Sequence, residues 1–252
     1  MAQLQRREER DATGWRVSYD GLTWGDPDQL VELEADLRAL AAQHLDAAEP
    51  PRWWLEAPDP AADRVARAAG WRRVRTLVQL RRPLPMDPPP EVEGLRTFDP
   101  DRDVDAWLEL NNAAFAWHPE QGHQHRAGFA VALTAAWVDL AGFFVVDGPD
   151  GAMDGFCWTR FHPAEPSAPG GNGPGEPSMG EVYVVATSDR VRGQGLGRAL
   201  VLVAMDHQHH QRGAEVAMLW TEADNTAAVR LYRHLGYTLH HTNVAYAPRE
   251  AS

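Results

Sequence analysis

Arg192-Gly193-Gln194-Gly195-Leu196-Gly197 decides the reading of this chain, because it lies between a valine-rich strand, residues 181–186, and an amphipathic helix, residues 194–211. Glycine lets a backbone come close to a ligand, and the start of a helix presents unpaired N–H groups with partial positive charge. A pyrophosphate is readily held at such a turn. Arg190, Arg192 and Arg198 add local positive charge to a chain whose formal net charge is -12. A glycine-rich strand-to-helix turn with no ligand carries the same short pattern, so the loop alone leaves both readings open. It lacks the Lys-Ser/Thr of an NTPase phosphate loop. Its glycine spacing and late position do not match a dinucleotide-binding first βα turn.

Outward from the loop, hydrophobic periodicity predicts strands at 95–98, 143–146, 153–161, 181–186, 216–221 and 238–246, with helices at 104–115, 128–137, 194–211 and 226–235. The order is β-α-α-β-β-β-α-β-α-β. Residues 163–180, rich in Pro, Gly and Ser, read as a loop. Pro83, Pro85, Pro88, Pro89 and Pro90 block both helix and sheet and predict a linker over 83–90. Before it, Leu30, Leu33, Leu37, Leu40 and Ala41 at helical spacing predict a helix over 27–44, with Asp26 as its cap and Pro27 at its first position. A strand at 53–55, a helix at 61–69 stopped by Gly70, and a strand at 74–80 follow. Residues 65–75 and 229–239 repeat the pattern helix, glycine, aromatic residue, strand, which suggests two similar units in tandem.

The chain has 252 residues, 44% hydrophobic and 24% charged, as expected of a globular protein with one large domain or two small ones. The acidic balance opposes nucleic acid as a partner. The lone Cys157 cannot form an internal disulfide. A polar N-terminus and the lack of a long apolar run argue against a signal peptide and a membrane partner, so a cytoplasmic location is expected.

The loop resembles the Arg/Gln-x-x-Gly-x-Gly/Ala element of the GNAT acetyltransferases, in which it binds the pyrophosphate of coenzyme A. Asn225-Thr226-Ala227-Ala228-Val229-Arg230-Leu231-Tyr232 and Leu235-Gly236-Tyr237 resemble the family's Asn-x-x-Ala-x-x-x-Tyr and closing Gly-Phe/Tyr segments, and the strand order is the family's. Asn111-Asn112-Ala113-Ala114-Phe115, His118-Pro119-Glu120-Gln121-Gly122 and Gly180-Glu181-Val182-Tyr183-Val184 are similar to the C-terminal half of the mycothiol synthases, over roughly residues 75–247. Those enzymes have two tandem GNAT domains and acetylate the cysteinyl amine of a glucosaminyl-inositol conjugate. The resemblance implies an α/β (α+β) GNAT fold, a mixed and mostly antiparallel sheet flanked by helices. It implies acetyl-CoA as co-substrate, no metal and a small-molecule amine as partner; a monomer is the expectation, with an oligomer as the alternative. Residues 91–248 are expected to be a complete GNAT domain and 1–82 a partial one, because 1–90 show neither early strands nor a second glycine-rich loop.

The acceptor ammonium must lose a proton before it attacks the thioester, and Glu181, just before the loop, is the candidate base. A surface carboxylate at a strand start is the plainer reading of that residue. Backbone N–H groups around Val185, Ala186 and Thr187 are candidates for stabilising the oxygen that gains charge. The resemblance makes Tyr232 the acid that protonates the leaving thiolate, where a lone helical Tyr is otherwise packing. It assigns the coenzyme to Arg192, Gly193, Gln194, Gly195, Leu196, Gly197 and Arg198, and to Asn225, Ala228 and Arg230. It implies that Glu120 contacts the acceptor, beside Glu181, with Arg160 and Trp220 where the family has Lys and Tyr. Arg keeps the charge with different donor geometry, and Trp keeps a ring but loses the phenol. Alternatives are another small amine or a protein N-terminus as acceptor, or a catalytically weak acyl-CoA-binding protein. The eleven histidines, His207, His209 and His210 among them, have no Cys partner in ligand spacing, and with Gln208 they read as a solvated helix face.

Overall fold

The computed structural model describes residues 4–11, 14–44, 47, 49–118, 121–166 and 175–249. It divides into two compact units: residues 1–79, 221–230 and 239–252 form the first, and residues 80–220 and 231–238 the second. The partition follows packing and not chain order, since residues 239–252 group with the N-terminal elements.

The first unit holds β1 (Gln5–Asp11), β2 (Gly14–Asp20), α1 (Pro27–Gln43), β3 (Arg52–Glu56), α2 (Ala62–Ala68), β4 (Trp71–Pro83) up to residue 79, and β10 (Thr238–Pro248) from residue 239. Its strands run in the order β1-β2-β3-β10-β4. β1 and β2 are antiparallel, β2 and β3 parallel, and β3 and β10 antiparallel. Trp15, Val17, Leu33, Leu37, Leu40, Trp53, Trp71, Val244 and Tyr246 make its core. Trp71 Nε1 also donates to Leu37 O at 2.8 Å, which ties α1 to the start of β4.

β1 and β2 correct the expectation that residues 1–90 contain no early strands. The charged run Gln5–Asp11 hides β1, because an edge strand with an exposed face has no apolar alternation to read. β2 does alternate, with Trp15 and Val17 buried and Arg16 exposed, and the Arg10 guanidinium lies 4.1 Å from the Trp15 ring. The same alternation explains why the hairpin is registered, Glu8 opposite Val17 and Arg10 opposite Trp15.

The second unit holds β5 (Leu95–Thr97), α3 (Val104–Ala114), α4 (Arg126–Leu133), β6 (Phe143–Asp147), β7 (Met153–His162), β8 (Met179–Thr187), α5 (Leu196–Arg212), β9 (Val216–Glu222) up to Trp220, and the end of α6 (Thr226–His234) from Leu231. Its strand order is β9-β8-β7-β6-β5, antiparallel except for the parallel β8–β9 pair. The mixed, mostly antiparallel sheet flanked by helices is the expected architecture. β7 is buried from Met153 to Thr159, as befits a central strand covered on both faces. On the face of α3 and α4, Phe143 stacks on Trp158 at 4.9 Å and Trp107 on Phe129 at 3.9 Å. Truncating one such buried aromatic costs about 3–5 kcal/mol.

On the other face α5 buries Leu200, Val201, Ala204 and Met205. It comes so close to the sheet that a Cβ on Gly180 would stand 2.6 Å from Gln208 Cβ. Gln208 is itself 1% exposed and donates from Nε2 to Thr159 Oγ1 at 2.7 Å. That corrects the reading of this stretch as a solvated face. Gln208 follows Ala204 and Met205 by one helical turn, so it lies on the packed side, where a strand threonine gives it a partner.

Candidate active site

The register of β8 and β9 runs from Met179 opposite Val216 to Glu181 opposite Met218 and stops there. β8 continues to Thr187, so Val182 to Thr187 lie beyond the last residues paired with β9. β8 is bulged against β7 at the same level: Trp158 faces Val184 and Thr159 faces Val182, which leaves Tyr183 without an opposite number. Among the described residues the strand thus has a main-chain edge without a strand partner, which begins next to Glu181. Val185, Ala186 and Thr187 are on it.

The chain leaves β8 through Ser188, whose hydroxyl donates to Asp154 Oδ1 at 3.0 Å and whose N–H donates to Asp154 O at 2.8 Å. Gly193 and Gly195 have φ of 79° and 87°, values that L side chains rarely adopt. Gly195 caps α5, and among the described residues no side chain bonds to that helix start. Its first turn carries no acidic residue. Arg198 is exposed at this turn, whereas Arg192 pairs with Asp189. Arg190 is occupied by Asp154, by Asp150 at 2.6 Å and by Ala152 O at 3.0 Å, so it clamps the β6–β7 turn and is not free for a ligand.

Glu181 is 9% exposed, and its Oε2 lies 2.8 Å from His162 Nε2. Arg160 is directly opposite Glu181 in the β7–β8 register, and His162 follows two residues later, so all three project from one face of the sheet. The Arg160 guanidinium stands 5.0 Å from the Trp137 ring, and its Nε is buried and unpaired among the described residues. Trp137 also meets Tyr183 at 4.8 Å. Burial, and then the charge of Glu181, push the Tyr183 phenol above its ordinary pKa, while Arg160 pulls the other way. Trp220 follows Met218 by two on β9 and so shares the face of Glu181.

Tyr232 is 5% exposed on α6 and packs against Tyr237 at 5.6 Å between rings. Burial, and secondarily the neighbouring Cys157 thiol, push its phenol well above the ordinary tyrosine range. Cys157 is opposite Val185 in the register and next to Trp158, so its side chain lies on the face away from Trp158 and Glu181. Glu181 therefore lies on one face of the sheet, and Tyr232 neighbours Cys157, whose side chain is on the other.

Asn225, Ala228 and Arg230 belong to the first compact unit, and Asn225 Oδ1 accepts from Ala228 N at 3.2 Å at the start of α6. Glu120 lies outside the described residues. The residues that follow it in sequence are held from α3: Asn111 Nδ2 donates to Gln121 O at 2.8 Å, and Asn112 brackets Gln124 with bonds of 2.8 and 2.9 Å. His162 and Trp137 were not singled out in the sequence. For His162 the signal was its alternation with Arg160 on one strand.

A family model described as the acetyltransferase (GNAT) family matches residues 97–237. A mycothiol acetyltransferase of Salinispora arenicola is 41% identical over 214 residues, covering 83% of this chain and 67% of its own. A mycothiol acetyltransferase of Thermobispora bispora is 43% identical over 213 residues, covering 83% of this chain and 69% of its own. The chain thus spans about two thirds of the length of these relatives. Among solved structures, a GCN5-related N-acetyltransferase of Sphaerobacter thermophilus is similar in fold, with a TM-score of 0.67 at 21% identity, over 96% of this chain and 75% of that one. A tandem GNAT protein from the clavulanic acid biosynthesis pathway has a TM-score of 0.59 at 16% identity, over 94% and 76% of the two chains.

Proposed function

We propose a function from one premise: the chain belongs to the GNAT acetyltransferase family, and within it to the mycothiol acetyltransferases. It transfers acetyl from acetyl-CoA to the cysteinyl amine of desacetylmycothiol, the cysteinyl-glucosaminyl-inositol conjugate, to give mycothiol. The observation that carries this reading is the end of the β8–β9 register at Glu181, on the strand that leads through the glycine turn to the start of α5, whose first turn has no acid. A free strand edge bonds to the extended pantetheine arm as a neighbouring strand would, and the open N–H groups of α5 take the diphosphate.

In this reading the residues divide the work. Arg192 to Arg198 cradle the diphosphate, and the N–H groups of Val185, Ala186 and Thr187 stabilise the oxygen that gains charge. Glu181 takes a proton from the acceptor ammonium, directly or through one water. The amine attacks the thioester in a ternary complex, without an acyl-enzyme. Tyr232 gives its proton to the leaving thiolate, a role its raised pKa suits because the phenol stays protonated at neutral pH. Glu120, Arg160 and Trp220 recognise the acceptor. Acidic sugar-binding side chains and a guanidinium over an aromatic ring fit a polyhydroxylated amine better than a nucleic acid.

The same reading takes the protein as a cytoplasmic monomer and residues 1–82 as a degenerate GNAT-like unit, which the repeat at 65–75 and 229–239 supports. Thiol release from acetyl-CoA, measured with desacetylmycothiol and with generic amines and peptides, tests the assignment. A marked preference for desacetylmycothiol is expected. Equal rates on generic amines would remove the acceptor assignment, and coenzyme binding without thiol release on any amine would make the protein a carrier.

A further inference from the structure

We infer that His162 is a positioning residue that keeps Glu181 competent as a base; the inference rests on the reading of Glu181 given above. Directly opposed strand residues of opposite charge ordinarily pair with each other, and Arg160 is directly opposed to Glu181. They do not pair here. The Arg160 guanidinium is turned to the Trp137 ring, and Glu181 Oε2 is held by His162 Nε2 at 2.8 Å.

The difference matters chemically. A guanidinium fork binds both oxygens of a carboxylate and lowers its affinity for a proton, which is the opposite of what a base needs. A neutral imidazole donates one N–H to one oxygen. Oε2 is thereby fixed and Oε1 remains for the acceptor ammonium or its relay water. His162 is the right length for this because it stands one residue pair beyond Arg160 on the same strand face, opposite Met179, and reaches Glu181 along the diagonal. Its side chain is 28% exposed against 12% for Glu181, so the partner of the carboxylate is the more accessible of the two. Without His162 the carboxylate is released to pair with Arg160, which occupies both of its oxygens and takes the Arg160 charge away from the acceptor.

The test compares His162→Ala, His162→Gln, Glu181→Ala and the double variant His162→Ala/Glu181→Ala in the full chain. His162→Ala should lower kcat about tenfold to a hundredfold, with the acetyl-CoA affinity and the melting temperature near wild type. His162→Gln, whose amide N–H donates the same bond, should recover most of the loss. In the Glu181→Ala background His162→Ala should cost nothing further, because its effect runs through that carboxylate. A wild-type kcat in His162→Ala, an unrescued His162→Gln, or additive losses in the double variant would overturn the inference. The comparison uses whichever amine the wild type acetylates, so a failed acceptor assignment is seen in the wild type and not in the variants. Imidazole nitrogen NMR reads the pair without turnover: the Nε2–H tautomer, perturbed by Glu181→Ala, is expected, and an Nδ1–H tautomer would also overturn it.

Discussion

Two helices of the molecule have the same length, 17 residues, and begin in opposite ways. α1 starts at Pro27 behind Asp26, whose carboxylate accepts from the N–H groups of Asp28 at 3.0 Å and Gln29 at 3.3 Å, and Asp28 adds an acid to the first turn. α5 starts behind Gly195 with positive φ, without a side-chain cap among the described residues and without an acid in its first turn. Each end has the same four orphan N–H groups and the same partial charge. At α1 the chain fills that site with its own anion, and at α5 it leaves the site for another. Both helices bury an apolar stripe, so the stripe says nothing about ligands. The residues just ahead of the first turn do.

The contrast can be sharpened by separating chemistry from grip. Glu181→Gln should lower kcat about a hundredfold or more while acetyl-CoA affinity, by calorimetry, is unchanged. A parallel loss of affinity would mean that Glu181 belongs to the cradle. Tyr232→Phe removes a hydrogen bond to a developing charge and should lower turnover about tenfold to a hundredfold, again at constant affinity. The same phenol has a folded-state pKa above its unfolded one, so its stabilisation is complete below the ordinary tyrosine pKa, about 10, and is lost as pH rises towards the folded value. Melting curves of Tyr232→Phe should therefore fall less steeply above that pH than those of the wild type. The smallest effect belongs to α1: Asp26→Ala should cost about 1 kcal/mol of stability in denaturant unfolding and leave coenzyme affinity untouched. A change in affinity there would break the distinction between the two helix starts.

Much of this was legible in the sequence, and the exceptions have physical reasons. The strand and helix order of the second unit, the glycine turn, Asp26 as a cap and Pro27 at its first position are local features, set by period and by φ, and residues a few positions apart reveal them. β1 was hidden because an exposed edge strand of charged residues has no burial pattern. Gln208 was misread because burial of a polar side chain depends on a partner, Thr159, far along the chain. The end of the β8–β9 register and the choice of His162 over Arg160 as the partner of Glu181 are long-range decisions between elements. Strand alternation restricted them to one face but did not select the pair. The charges counted around the loop were also over-read, since Arg190 is spent on Asp150 and Asp154.

Gly197 lies in the first turn of α5, and a Cβ there would meet Thr187 Cγ2 at 3.8 Å, an ordinary contact, so a Cβ is accommodated by the fold. Gly197→Asp gives α5 the acidic first turn that α1 already has, which favours the helix and opposes a diphosphate. Calorimetric titration of acetyl-CoA into this variant, with Gly197→Ala as the size control, is the decisive measurement. Both variants are expected to fold, with an affinity at least about tenfold lower for Gly197→Asp than for Gly197→Ala. Equal affinities in folded Gly197→Asp and Gly197→Ala would contradict the assignment of this helix start to the diphosphate.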